Sequence, residues 1–255
     1  MKTKLAIIFL LILLTNFAIC QTSFTHKESG VKVNFKTSDK MFPESWRGGS
    51  INGEAESLTA EEYKRSQKII SEAMDKYPSE VLQENLKEVY ILNSLKFYNQ
   101  IYGGTNSNDV VYICNSGREN GYSDEYFEQL FHAEFSSILL RNYSDKIFEE
   151  RWESVNKEGF TYGSGGVDEI RKGKAGTDYL PEFFEQGFLY QYAMSGMEND
   201  FNSISKNLFC PNSLFWTEGY EYERLKLKII LTIDFYRNIN STLDINHFME
   251  FEDKE

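Results

Sequence analysis

Apolar positions along the chain follow two periods, and the switches between them mark out the elements. Val31-Lys32-Val33-Asn34-Phe35 alternates, which predicts a short edge strand. Residues 36–57 show neither period and are rich in Gly, Ser and Pro around Trp46, so irregular structure is expected there. Thr59 opens a helix: the Thr59-x-x-Glu62 spacing is that of a capping box, and Tyr63, Ile69, Ile70 and Met74 give an apolar stripe that stops at Pro78. A second helix is expected over 79–86. Residues 89–97 and 109–114 read as two strands, and the turn-rich Gly103-Gly104-Thr105-Asn106-Ser107-Asn108 between them predicts a hairpin connection.

The second half is helical in pattern. Ser123-Asp124-Glu125 caps a helix running to about Arg141, with acidic residues at its positive end. Leu130, Phe131, Phe135, Ile138 and Leu139 give it a wide apolar face, the mark of a core helix. A shorter helix over 146–155 carries Trp152, and residues 159–177, with six glycines, are expected to be loop. Helices then follow over 180–194, with Pro181 in the first turn, over 198–209, and over 220–236. There is no internal repeat, heptad register or composition break. The pattern predicts an α+β fold, mainly helical with a small β-sheet, and one domain over 21–255.

The first twenty residues change the picture of where the chain works. Lys2 and Lys4 precede an unbroken apolar run from Leu5 to Leu14, and Ala18-Ile19-Cys20 offers small residues before Gln21. This predicts an export signal over 1–20 and a periplasmic or extracellular mature protein. Phe17 and Ile19 fit a lipidation box at Cys20 poorly, and the run is too short to span a membrane comfortably. A net charge of -12 argues against nucleic acid or an anionic membrane surface as partner. A protein or peptide partner fits better. After cleavage Cys114 and Cys210 remain; they could pair or stay as two free buried thiols, and they are expected to lie close enough to bridge.

Candidate chemistry centres on Phe131-His132-Ala133-Glu134-Phe135-Ser136-Ser137-Ile138-Leu139. A zinc peptidase helix of the H-E-x-x-H kind needs histidines at i and i+4 with a glutamate after the first as general base. On that frame Glu134 falls on the glutamate, but Ala133 and Ser137 stand at the histidines. His132 is two residues from Glu134, or roughly 200° around a helix, so the pair cannot face one metal from one side. No lysine or helix start follows Gly103-Gly104-Thr105, which removes a phosphate loop, and there is no Gly-x-Ser-x-Gly element.

These residues nevertheless resemble the H-H-E-F-x-H-I-L segment of a secreted, zincin-like family of zinc-binding metallopeptidases. Gly187-Phe188-Leu189-Tyr190-Gln191-Tyr192-Ala193 and Glu198-Asn199-Asp200-Phe201 resemble its G-F-x-x-x-Y-A and E-D-F-A elements, and Trp152, Asn156 and Tyr162 fit the stretch between. The resemblance spans about 90–209. It implies a small sheet with helices and a cleft over the motif helix, Glu134 as a relic general base, and Glu198 or Asp200 as third ligand, approaching the side of Ala133 and Ser137. Neither alanine nor a serine hydroxyl replaces imidazole on zinc at neutral pH, and without zinc Glu134 has no acidified water to activate. No cofactor is therefore expected. The reading is a catalytically silent, exported binding or scaffold protein, in which Glu134, Glu198 and Asp200 could be plain helix carboxylates. The alternative is a metal-dependent hydrolase with an unconventional site, His132, Glu198 and Asp200 holding zinc beside Glu134, with His247 a distant addition. His26, near the new amino terminus, is expected at the surface. Intact-mass analysis of exported protein should give a chain beginning at Gln21; retained residues 1–20 or an acyl mass on Cys20 would overturn that expectation.

Overall fold

The computed structural model describes residues 22–252; the proposed export signal lies outside them. The fold is α+β. Seven strands form one mixed sheet: β1 (Ser23–Thr25), β2 (Lys32–Asn34), β3 (Glu54–Ser57), β4 (Glu88–Phe97), β5 (Gln100–Ile101), β6 (Gly104–Asn106) and β7 (Val110–Cys114). Their order is β1-β2-β4-β7-β6, with β3 and β5 also paired to β4. The helices are α1 (Tyr63–Asp75), α2 (Ser79–Asn85), α3 (Asp124–Tyr143), α4 (Lys146–Val155), α5 (Gly166–Arg171), α6 (Pro181–Phe184), α7 (Met197–Phe209), α8 (Phe215–Glu221), α9 (Glu223–Ile239) and α10 (Ile245–Met249).

Strand alternation explains the layering. On β4 and β7, Val89, Ile91, Val111 and Ile113 face the main core under the helices, while Tyr90, Leu92, Tyr112 and Cys114 face a smaller cluster on the other side. Phe42 and Trp46, from the irregular stretch before β3, cover that second face. Leu92 and Leu95 share a face although they are three positions apart. The register supplies the reason: Glu56 pairs with Ser94 and Ser57 with Leu92, so Asn93 is an inserted residue that shifts the alternation.

Several expectations need correction. The strand at 31–35 is not at the edge: β1 pairs with it antiparallel on one side and β4 parallel on the other. The 103–108 connection does not make a hairpin of its neighbours. It contains β6, which pairs antiparallel with β7, and β4 and β7 run parallel. Thr59 makes no side-chain cap, because the chain takes a short 3-10 turn before α1; Glu62 instead accepts from Arg65 and Asn115. The 159–177 loop contains α5, and the 220–236 helix is broken into α8 and α9. The 180–194 helix is also broken. It survives only as α6 and a 3-10 turn over Gln191–Ser195, because Gly187 takes a φ of 89° that no continuing helix allows.

The expected starts of α3 and α4 hold, with Ser123 Oγ accepting from Tyr126 N–H and Asp145 from Phe148 N–H. Cys114 and Cys210 are both buried free thiols. Cys114 donates to the Tyr102 carbonyl beneath the sheet, and Cys210 lies at the end of α7 by the Glu125 carbonyl. His26 is buried, held by Ser29 and Asp75, because the β1–β2 turn folds it against the end of α1.

Gly187 yields a test of this account. A Cβ there would stand 2.7 Å from Arg224 Cβ, in addition to the strained backbone. Gly187→Ala should therefore cost about 1–3 kcal/mol, read as a lower urea midpoint at an unchanged m-value.

Candidate functional site

Helix α3 runs through the middle of the molecule, packed on α1, α7, β6 and β7. Its residues are buried on more than one face, and Gln129, His132, Ser136 and Ser137 are buried with the apolar ones. Consequently the residues singled out in its sequence enter different environments.

His132 is fully buried on the side of α1. Its Nδ1 meets Tyr77 OH at 2.9 Å, its Nε2 meets Glu128 at 3.2 Å, and the ring stacks on Phe209. Glu128 also accepts from Lys76, and His132 and Lys76 together hold its carboxyl down to about 2 despite burial. Burial lowers the pKa of His132 itself. This is a closed hydrogen-bonded chain, turned away from Glu134.

Glu134 points to β6. Its Oε2 accepts from Asn106 Nδ2 at 2.6 Å, and Asn106 in turn accepts from Arg141. Gly104 leaves the room: a Cβ there would stand 2.8 Å from Glu134 Oε1. Burial pushes Glu134 up to about 7; Asn106 and Arg141 pull it down and Glu198 adds to the rise.

Ser137 is met from α7 by Asn202 rather than by an acid. Asn202 Nδ2 donates to Ser137 Oγ at 2.7 Å, and Ser136 Oγ donates to Asn202 Oδ1 at 2.7 Å. Glu198 is half exposed and pairs with Arg141 at 3.5 Å. Asp200 is fully buried on the far side of α7, where its Oδ2 accepts from Lys228, Tyr162 and Trp152 at 2.7, 2.6 and 3.1 Å. Two residues around a helix are roughly 200°, so Asp200 and Asn202 necessarily face apart. His132, Glu198 and Asp200 are therefore not brought together. His247 donates to the Lys76 carbonyl, also elsewhere. Among the described residues, the three ligand-type side chains that do converge are His26, Glu28 and Asp75, well outside this site.

The donor set around Ala133 and Ser137 does not fit zinc. One position has no donor atom, and the other is a hydroxyl already accepting from an amide. The nearest residue of α7 is a neutral Asn202 that both serines occupy.

Between β6, α3 and α7 lies a cavity of about 270 Å³ whose lining includes Ala133, Glu134, Tyr126, Tyr190, Tyr192 and Lys206. Asn199, Asn202 and Lys206 reach it at i, i+3 and i+7 of α7. Burial holds Lys206 below the ordinary lysine pKa. A larger cleft of about 580 Å³ lies along α1 and the start of α3, but most of its charges are already paired with one another. Arg65 pairs with Glu62 and Asp124, and Lys76 with Glu128.

Asn106, Asn202 and Lys206 went unnoticed in the sequence. The last two were accessible as the Glu198-x-x-x-Asn202-x-x-x-Lys206 face of a predicted helix; Asn106 depends on a strand that the hairpin expectation concealed.

No family model and no curated protein matches the chain. Among solved structures it is similar to a putative zinc-binding metallo-peptidase from Bacteroides caccae ATCC 43185. The two are 16% identical, with a TM-score of 0.48 and 72% of each chain covered. At that identity and score the likeness carries no argument about the chemistry of this chain.

Glu134 gives the site a pH signature. Its ordinary value is 4.5 and its folded value about 7, so between these the folded chain keeps a proton that the unfolded chain has released. Stability tied to this group is present below the ordinary value and is lost as pH rises through the folded one. Glu134→Gln should remove that loss. Urea midpoints of the two proteins at pH 5 and pH 8 should thus diverge in favour of the variant as pH rises; parallel behaviour would contradict the shift.

Proposed function

We propose that this chain is an exported binding protein on a metallopeptidase-like frame, in which the cavity between β6, α3 and α7 receives a ligand without metal and without peptide hydrolysis. The observation that carries this reading is the contact of Asn202 with Ser136 and Ser137. Where an H-E-x-x-H helix would turn imidazoles toward a metal, the chain has a methyl group at Ala133 and, at Ser137, a hydroxyl that accepts from the Asn202 amide. The acids that could have supplied a third ligand have other partners, Arg141 for Glu198 and Lys228 for Asp200. Glu134 remains beside an accessible cavity, as a recognition group rather than a base acting on metal-held water. Export rests on the basic start and the apolar run from Leu5 to Leu14. Among the described residues no helix is long and apolar enough to cross a membrane.

The hydrolase alternative has less support, since His132 and Glu134 face different sides of α3 and have no common partner. Metal content and peptidase activity decide between the two. Protein purified without chelator should carry well under one zinc per chain and leave unstructured peptides uncut over hours. Stoichiometric zinc, or hydrolysis that Glu134→Gln abolishes, would reverse the conclusion.

A further inference from the structure

The cavity between β6, α3 and α7 is lined by an acidic and a basic side chain, Glu134 and Lys206, that the protein does not pair with each other. Lys206 is partly buried, and its ammonium lies 5.1 Å from the centre of the Tyr190 ring. Among the described residues it enters no hydrogen bond and no ion pair. The other lysines drawn into the interior are fully engaged: Lys228 holds Asp200 and the Gly187 carbonyl, and Lys76 holds Glu128 and the Phe209 carbonyl. In a chain of net charge -12, a lysine left without a carboxylate in a confined space points to an anion supplied from outside.

Glu134 stands on the α3 wall of the same cavity. Asn106 occupies its Oε2, while Oε1 accepts no hydrogen bond among the described residues. It therefore has capacity for a donor, and ionised it can hold a cation. The rest of the wall is aromatic. Tyr126, Tyr190 and Tyr192 line it, and Tyr102, also on the lining, has a buried hydroxyl without a partner. The size is restrictive as well. A volume of about 270 Å³ falls just below the ~300–1,000 Å³ range of ordinary small-molecule sites, so one residue-sized molecule fits and an extended chain does not.

We propose that this cavity binds a free α-amino acid with an aromatic side chain: its carboxylate on Lys206, its ammonium on Glu134 and its side chain among the tyrosines. The assignment rests on the reading of the cleft as a metal-free binding site and names what it binds. A zwitterion satisfies both wall charges at once and leaves neither a cation nor an anion unpaired in the confined space. A simple carboxylate or a simple amine would leave one of them exposed to that cost. Aromatic rings stacked against tyrosine would add contact energy at little conformational cost.

Isothermal titration calorimetry of the mature, zinc-free protein with L-phenylalanine and L-tyrosine tests this. One-to-one binding is expected. It should weaken about tenfold or more for N-acetyl-L-phenylalanine, which lacks the ammonium, and for L-phenylalaninamide, which lacks the carboxylate, as loss of one charge-assisted contact implies. Lys206→Met and Glu134→Gln should produce losses of the same size, and the ligand series needs no altered protein should either variant fold poorly. Absence of binding at millimolar amino acid, or equal affinity for the blocked ligands, would overturn the assignment. Zinc in the purified protein would instead overturn the metal-free reading beneath it, so the two failures are separable.

Discussion

The ion pair between Asp200 and Lys228 sets the geometry on which the rest of the helical layer depends. Both side chains are fully buried, 2.7 Å apart. Lys228 also donates to the Gly187 carbonyl and lies 3.8 Å from the centre of the Phe188 ring, and Asp200 also accepts from Trp152 and Tyr162. Burial alone raises the carboxyl and lowers the ammonium, and each ion opposes that shift in the other. A pair of this kind contributes little over an apolar filling, but losing one member leaves a stranded charge at a cost of about 3–5 kcal/mol. Five segments meet here: α4, the loop after it, the turn at Gly187, α7 and α9. With Asp200 held against α9, the rotation of α7 is settled, and its Glu198, Asn202 and Lys206 face is presented to α3. The candidate site is thus a consequence of a contact on the opposite side of the same helix.

How much of this was legible in the sequence depends on how local the determining contact is. Helix α3 could be read because Ser123, the acidic first turn and the apolar positions all lie within twenty residues. β4 and β7 could be read because alternation is local too. What failed were features decided by distant partners. Thr59 and Glu62 have capping-box spacing, but Arg65 and Asn115 draw Glu62 away. The 180–194 helix is broken by the conformation of Gly187, whose carbonyl serves Lys228 forty-one residues on. The acid expected to face Ser137 was sought at Glu198 or Asp200, and the residue that does face it is Asn202, because a residue twenty-eight positions further along chooses which side of α7 Asp200 takes.

Within α3, two residues two positions apart illustrate how a helix separates functions. His132 sits in a dense network with Tyr77, Glu128 and Lys76, where both of its ring nitrogens have a partner. Glu134, on the other side, borders an open volume and keeps one oxygen without a partner among the described residues. The first arrangement ties α1 to α3; the second is available to something else. A motif comparison that treats the two residues as one unit therefore joins groups that the backbone separates.

The contact of Asn202 with Ser136 and Ser137 also bears on ancestry and reversibility. Should the chain descend from a metal-binding form, the return path is not a single step. Histidine at 137 alone would take the place of a hydroxyl that accepts from Asn202 and strand an amide group between two packed helices. An acid at 202 alone would put a charge beside two serines, with no cation to meet it. The first intermediate would carry an unpartnered amide and the second a charge without a counter-ion, and each would be less stable than the present arrangement. A structure of this type works as a ratchet: once the amide and the hydroxyls have closed on each other, selection for stability alone keeps them there, whether or not the cavity beside them is in use.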